Sequence, residues 1–135
     1  MEEKGHTVDL CVCPEKEFYS YAEERRYKIP KENSGNYGLA IELHLNAYDL
    51  PTANGTEVLY CSAKGLEFAK KILKPLGEIF KNRGAKCASS LYFLNQTKAP
   101  AVIIETFFCT SKSDYEKARG AKNCKKIATA IAKNL

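Results

Sequence analysis

No apolar run in this chain approaches the length of a membrane span. The N-terminal stretch MEEKGHTVDL has no apolar core of the kind a signal peptide needs. Stable membrane insertion and a cleaved leader are therefore not expected, and action outside a cell would depend on another route of release. There is no glycine-rich phosphate loop and no aromatic-basic RNA motif, which leaves nucleic-acid binding without a motif to carry it. No C-x-x-C pair and no regular cysteine framework occurs, which argues against a small disulfide scaffold. Internal repeats, low-complexity tracts and linker-like stretches are also missing.

What remains is a chain of 135 residues with 44% hydrophobic and 27% charged residues. That is ordinary for one soluble domain, here 1–135, able to bury a core without disulfides. The net charge of +5 favours anionic partners weakly: nucleic acid, an acidic membrane or acidic wall polymers. The excess is spread along the chain, as on a solvated surface. The six cysteines, several in apolar runs, read as reduced and mostly buried. A zinc site on Cys11 and Cys13 lacks a second pair.

Local patterns predict alternating strands and helices. HTVDLCVC (6–13) is rich in β-formers and stops at Pro14. YSYAEERRYKI permits a helix that Pro30 ends or bends. LAIELHLNA reads as a strand of a covered sheet, and EVLYC (57–61) as another. Leu66, Ala69, Leu73, Leu76 and Phe80 form a helical stripe, with Pro75 as a kink and Gly84 as a C-terminal stop. LYFL and AVIIE predict short strands. A final helix buries Cys124, Ile127, Ala128, Ile131 and Leu135. The pattern specifies an α/β fold, a three-layer αβα sandwich around a mainly parallel twisted sheet.

Sites in such sheets lie at the carboxyl ends of strands. One strand ends with His44, Leu45 and Asn46; another ends with Glu105 after the apolar run AVII. A carboxylate after four buried aliphatics is costly unless it is paired, hydrogen-bonded or near a metal; the alternative is a glutamate facing water at the strand mouth. His44 alone reads as a core or rim histidine, but a neutral imidazole with a nearby carboxylate also suits a zinc ligand and its proton acceptor. Glu42 alternates onto the face of His44. It could bind metal, orient the imidazole or simply be polar.

The ordered segments ELHLNA, NGTEVLYCS, NRGAK, LYFLNQTKAPAVIIETFFCTSKSDYEKA and IATAIAKNL resemble the catalytic domain of zinc-dependent N-acetylmuramoyl-L-alanine amidases. The likeness is to the endolysin type used by phages of spore-forming bacteria, and it covers nearly the whole chain. It includes KGHTVDLCVCPEK, which looks like the family's second strand. The resemblance implies Zn2+ as cofactor, bound in part by His44, with Glu105 as catalytic base and acid. The bond cut would join N-acetylmuramic acid to L-alanine of the stem peptide, so the partner would be bacterial peptidoglycan. The protein would stay cytoplasmic until lysis and then act on the cell wall.

The family's other two zinc ligands, a histidine after a first strand and a glutamate on a first helix, precede the segment aligned with GHTVDL. The domain is therefore expected to be N-terminally incomplete, without a wall-binding domain. His6 follows no strand and so is a poor substitute ligand. Glu15, Glu17, Glu23 and Glu24 read as solvated charges. A missing strand would expose sheet backbone, so self-association is expected. The alternative function is an inactive truncated or degenerate amidase-fold protein with a binding role only; an unrelated nucleic-acid-binding α/β domain ranks last.

Overall fold

The structure, a computed structural model, describes residues 5–11, 18–50 and 52–135. Its elements run α1 (Tyr21–Glu32), β1 (Ala40–Asn46), β2 (Thr56–Tyr60), α2 (Ala63–Leu76), β3 (Asn82–Cys87), α3 (Tyr92–Gln96), β4 (Ala101–Phe108), α4 (Lys112–Ala118) and α5 (Ala121–Ala132). The four strands form one sheet in the order β1-β4-β2-β3.

The apolar run AVII explains why β4 is central. Successive strand residues point to opposite faces. Val102 and Ile104 enter a core with Val58, Ile72, Leu76 and Phe80 under α2 and α5. Ala101 and Ile103 enter a second core with Tyr92, Phe93 and Leu94. Helices thus cover both faces of β4, as the three-layer reading requires.

The sheet is mixed. β1 pairs with β4, and β2 with β3, in parallel, but β2 meets β4 antiparallel. The two parallel pairs fit the expected mainly parallel sheet; the antiparallel seam between them has no local sequence signal.

Helix α2 follows its stripe closely. Ser62 caps it by accepting from Gly65 N–H at 3.0 Å. Pro75 does not kink it mid-course but lies in its last turn. Proline has no N–H to offer the carbonyl four residues back. That carbonyl, Lys71 O, instead accepts from the Asn134 side-chain amide at 3.2 Å. The C-terminal end of the chain is thereby tied to α2.

Several expectations are corrected. Residues 6–11 form no strand, because no neighbouring ladder meets them; residues 12–17, with Cys13, Glu15 and Glu17, lie outside the described residues. LYFL enters helix α3 instead of a strand, and residues 92–94 are all buried. A four-residue apolar run carries too little period to separate the two states. Gly84 does not stop a helix. It lies within β3 at φ +88°, where the register against β2 slips between Thr56–Asn82 and Val58–Ala85. The extra residue is a β-bulge, and glycine accepts the left-handed geometry. The last helix is two, α4 and α5, separated by Arg119 and Gly120 (φ +88°).

β1 is an edge strand and not a fully covered one. Leu43 is 65% and Leu45 55% exposed. They border a groove of about 760 Å3 shared with Phe107, Tyr115, Ile127 and Ile131. The same open groove leaves Cys124 and Ala128 of α5 exposed where burial was expected. The cysteines are likewise less buried than expected: Cys11, Cys87, Cys109 and Cys124 are exposed and Cys61 is half-buried, with no disulfide among them. Among the described residues no helix is long and apolar enough to cross a membrane.

Candidate active site

The parallel pairing of β1 and β4 sets His44 directly beside Glu105 in register. Alternation places Glu42, His44 and Asn46 on the same face of the sheet as Ile103 and Glu105. His44 Nε2 lies 3.4 Å from Glu42 Oε2, and its Nδ1 lies 3.8 Å from Glu105 Oε1. The imidazole is therefore held between two carboxylates. Its side chain is 47% exposed, whereas that of Glu105 is 15% exposed. A cleft of about 230 Å3 opens over the pair, walled by Tyr21, Glu24 and Lys28 of α1 and by Tyr92 of α3.

Glu105 is the unusual member. Its Oε2 is buried and has no hydrogen-bond partner among the described residues. Burial raises its pKa above the ordinary carboxylate value; His44 opposes this and Glu57 adds to it. A buried oxygen left unsatisfied is costly, which fits a group whose partner arrives with the reaction.

Glu57 was legible only as part of the family pattern. It is buried on β2 and stands directly opposite Glu105 across the antiparallel pair. Arg83 Nε donates to its Oε2 at 2.8 Å, Lys86 Nζ at 2.6 Å, and Asn46 Nδ2 donates to Oε1 at 3.2 Å. Burial opposes its charge, but the Lys86 and Arg83 cations outweigh this and lower its pKa. Arg83 and Lys86 are three residues apart, so on a regular strand they would point to opposite faces. The bulge at Gly84 lets both reach Glu57.

On the other side of His44, Lys28 lies 2.7 Å from Glu24 and 2.9 Å from Glu42. Burial disfavours the Lys28 ammonium, but these two carboxylates more than compensate and raise its pKa. Glu24 therefore acts as an ion-pair partner and not a bare solvated charge. Glu23 closes the start of α1: its carboxylate accepts from Tyr19 N–H, and its own N–H donates to Ser20 Oγ. His6 is exposed and contacts the Leu135 carbonyl at 3.2 Å, a placement that serves the chain end.

Two buried or half-buried polar groups shape the rim. Asp114, almost fully buried, accepts from Gly55 N–H at 2.7 Å and Phe108 N–H at 3.2 Å. It pins the entry to β2 against the end of β4. Gly55 has φ +112°, and a Cβ there would meet Lys81 O at 2.2 Å, so glycine is required just before Glu57. Asn33 caps α1, donates to Gln96 O and accepts from Lys98 N–H, fixing α1 to the loop before β4.

The residues do not by themselves fit a complete zinc site. Glu42 and Glu105 face different nitrogens of His44, and these nitrogens diverge from the ring. Among the described residues no three His, Cys, Asp or Glu side chains are grouped to hold a metal ion. Zinc sites normally take at least three protein ligands.

All 135 residues match the family model described as N-acetylmuramoyl-L-alanine amidase. The N-acetylmuramoyl-L-alanine amidase LytC of Bacillus subtilis is 33% identical over 122 residues, covering 84% of this chain and 23% of LytC. An uncharacterized 38.4 kDa protein of Clostridium perfringens is 36% identical over 113 residues, covering 79% of this chain and 33% of that protein. The chain thus spans between 23% and 33% of the length of these curated relatives. Among solved structures, the catalytic domain of the CD27L endolysin targeting Clostridia difficile is similar over 98% of this chain and 75% of that chain, at 48% identity and a TM-score of 0.86. AmiC2 of Nostoc punctiforme, an N-acetylmuramoyl-L-alanine amidase, is similar over 81% of this chain and 62% of its own, at 25% identity and a TM-score of 0.74. With a match along its whole length and an α/β sheet shared with these proteins, the chain belongs to the N-acetylmuramoyl-L-alanine amidase family.

Proposed function

We propose that residues 1–135 form a catalytic domain that hydrolyses the amide between N-acetylmuramic acid and L-alanine of peptidoglycan. The observation that supports this most is the half-buried Glu105 carboxylate, with one oxygen unsatisfied, beside His44 in the C-terminal halves of two parallel strands. A carboxylate with a raised pKa is suited to take a proton from water and return it to a departing amine. The leaving group is the amine of L-alanine. The cleft walled by α1 and α3 admits the amide from the solvent side of His44.

The family resemblance implies zinc, with His44 as a ligand. The described donors do not complete that site, so the proton transfers rest on Glu105 and the metal would need further ligands. The acting place is the cell wall, with the protein held in the cytoplasm until lysis. Self-association through the exposed β1 edge is part of the same proposal.

The test is incubation of the folded chain with purified bacterial cell walls, with zinc added and with a chelator. New alanine amino groups without new sugar reducing ends are expected. Absence of both, in protein that melts cooperatively, overturns the hydrolase reading; co-sedimentation with walls in that case favours the binding-only alternative.

A further inference from the structure

We propose that Lys28 is a positioning residue that sets the imidazole of His44 through Glu42. The inference rests on the proposed amidase site and names a group outside it. Helix α1 fully buries none of its residues; Ile29 packs against the second core and Tyr21 meets Tyr92 edge-on at 4.9 Å. Polar contacts add to this seat: Arg25 donates to Gln96 at 2.8 Å, and Asn33 clamps the loop before β4. Lys28 makes an ion pair from α1 to the strand that carries His44.

The two oxygens of Glu42 have different tasks. Oε1 takes the Lys28 ammonium at 2.9 Å, and Oε2 faces His44 Nε2 at 3.4 Å. One rigid carboxylate thus transmits the position of a cation to a ring nitrogen. Both side chains are largely buried, so the pair acts where water screens little. Glu24 holds the ammonium from the other side at 2.7 Å and fixes its height along α1. Which ring nitrogen carries the proton is set by the partner of the other. Glu42 Oε2 is the nearer carboxylate oxygen, so it favours the tautomer with the hydrogen on Nε2 and leaves Nδ1 toward Glu105 and the cleft. Without Lys28, Glu42 loses its anchor, and the His44 ring is free to turn and to exchange tautomers.

A structural role alone would make every break in the α1 ion pairs equivalent; a positioning role separates them. Imidazole 15N–1H spectra of the whole chain therefore decide the matter, with His6 as the internal reference. Wild type, Lys28→Arg and Glu24→Gln are expected to show one dominant His44 tautomer. Lys28→Met is expected to show averaged His44 nitrogen shifts with His6 unmoved. Lys28→Met/Glu42→Gln removes both buried charges and covers the case in which Lys28→Met fails to fold; it is expected to show the same averaging. Identical His44 spectra in wild type and in every folded variant lacking Lys28 overturn the proposal, as does equal averaging in Glu24→Gln. On cell walls, Lys28→Met is expected to lower kcat by on the order of tenfold with KM little changed, and Lys28→Arg to recover it. An inactive wild type would sink the amidase reading alone, because the spectra still test Lys28.

Discussion

Glu57 and Glu105 stand directly opposite each other across the antiparallel pair of β2 and β4. Like charges in that position repel. The structure resolves the conflict by giving the two carboxylates unequal surroundings. Arg83, Lys86 and Asn46 surround Glu57 and favour its charged form, while the half-buried Glu105 keeps one buried oxygen unpartnered. Two carboxylates whose surroundings push them apart are suited to different roles. Glu57 is the better-held charge, and in the proposed reaction Glu105 is the group that exchanges a proton.

Replacing Glu105 with Gln should remove proton transfer and lower amide hydrolysis by about 10²- to 10⁴-fold. The melting temperature should hold or rise, because an ionisable group that burial disfavours is replaced by a neutral one of the same shape. Wall-hydrolysis rates and a thermal melt on one preparation check both halves. Full activity in the variant would remove Glu105 from the reaction.

The lowered pKa of Glu57 makes a signed prediction about pH. The folded state holds fewer protons on Glu57 than the unfolded state. Its stabilising contribution is present above the ordinary glutamate value and is lost as pH falls through the lower folded value. Wild type should therefore lose more stability than Glu57→Gln on acidification across that window. Denaturant melts from neutral pH downward measure this. Parallel pH curves for the two proteins would contradict it.

The bulge glycine can be tested without touching a charge. Gly84→Ala meets no atom within 4 Å, so its penalty is the positive φ alone. A loss of about 1 kcal/mol is expected. For a domain of this size that is a fall of several degrees in melting temperature. If the bulge also aims Arg83 and Lys86, salt should destabilise wild type more than the variant. An unchanged melting temperature would show that β3 re-registers at little cost.

The exposed edge predicts association. Leu43→Lys with Leu45→Lys places charge on β1 away from the face of His44, the usual way edges are kept apart. Sedimentation should shift toward monomer in this double variant. A monomeric wild type at the same concentration would refute the edge contact.

Much of this was readable from local sequence, and for definite reasons. AVII marked a strand covered on both faces, because four aliphatics in a row cannot be hidden otherwise. The apolar stripe from Leu66 to Phe80 marked α2. His44 and Glu105 stood out as residues expected at strand ends; β4 in fact runs on to Phe108, and it is the register of β1 with β4 that brings them side by side. LYFL misled because so short a run fits either period. Gly84 misled because a helix stop and a bulge both call for a left-handed glycine. The apolar LAIELHLNA looked fully covered, yet β1 lies at the edge; hydrophobicity reports that a residue should be buried, not that a neighbour is there to bury it.

The sequence by itself determined the α/β class and pointed to His44 and Glu105 as candidate site residues. Those depend on neighbours within a few positions, through side-chain period, capping and turn chemistry. Only the tertiary structure decided that β2 runs against β4, and with it that Glu57 faces Glu105. It alone placed Lys28 against Glu42 and turned both Arg83 and Lys86 toward one carboxylate. Strand direction and long-range ion pairing depend on the packing of the whole sheet, and no short window of residues contains that energy.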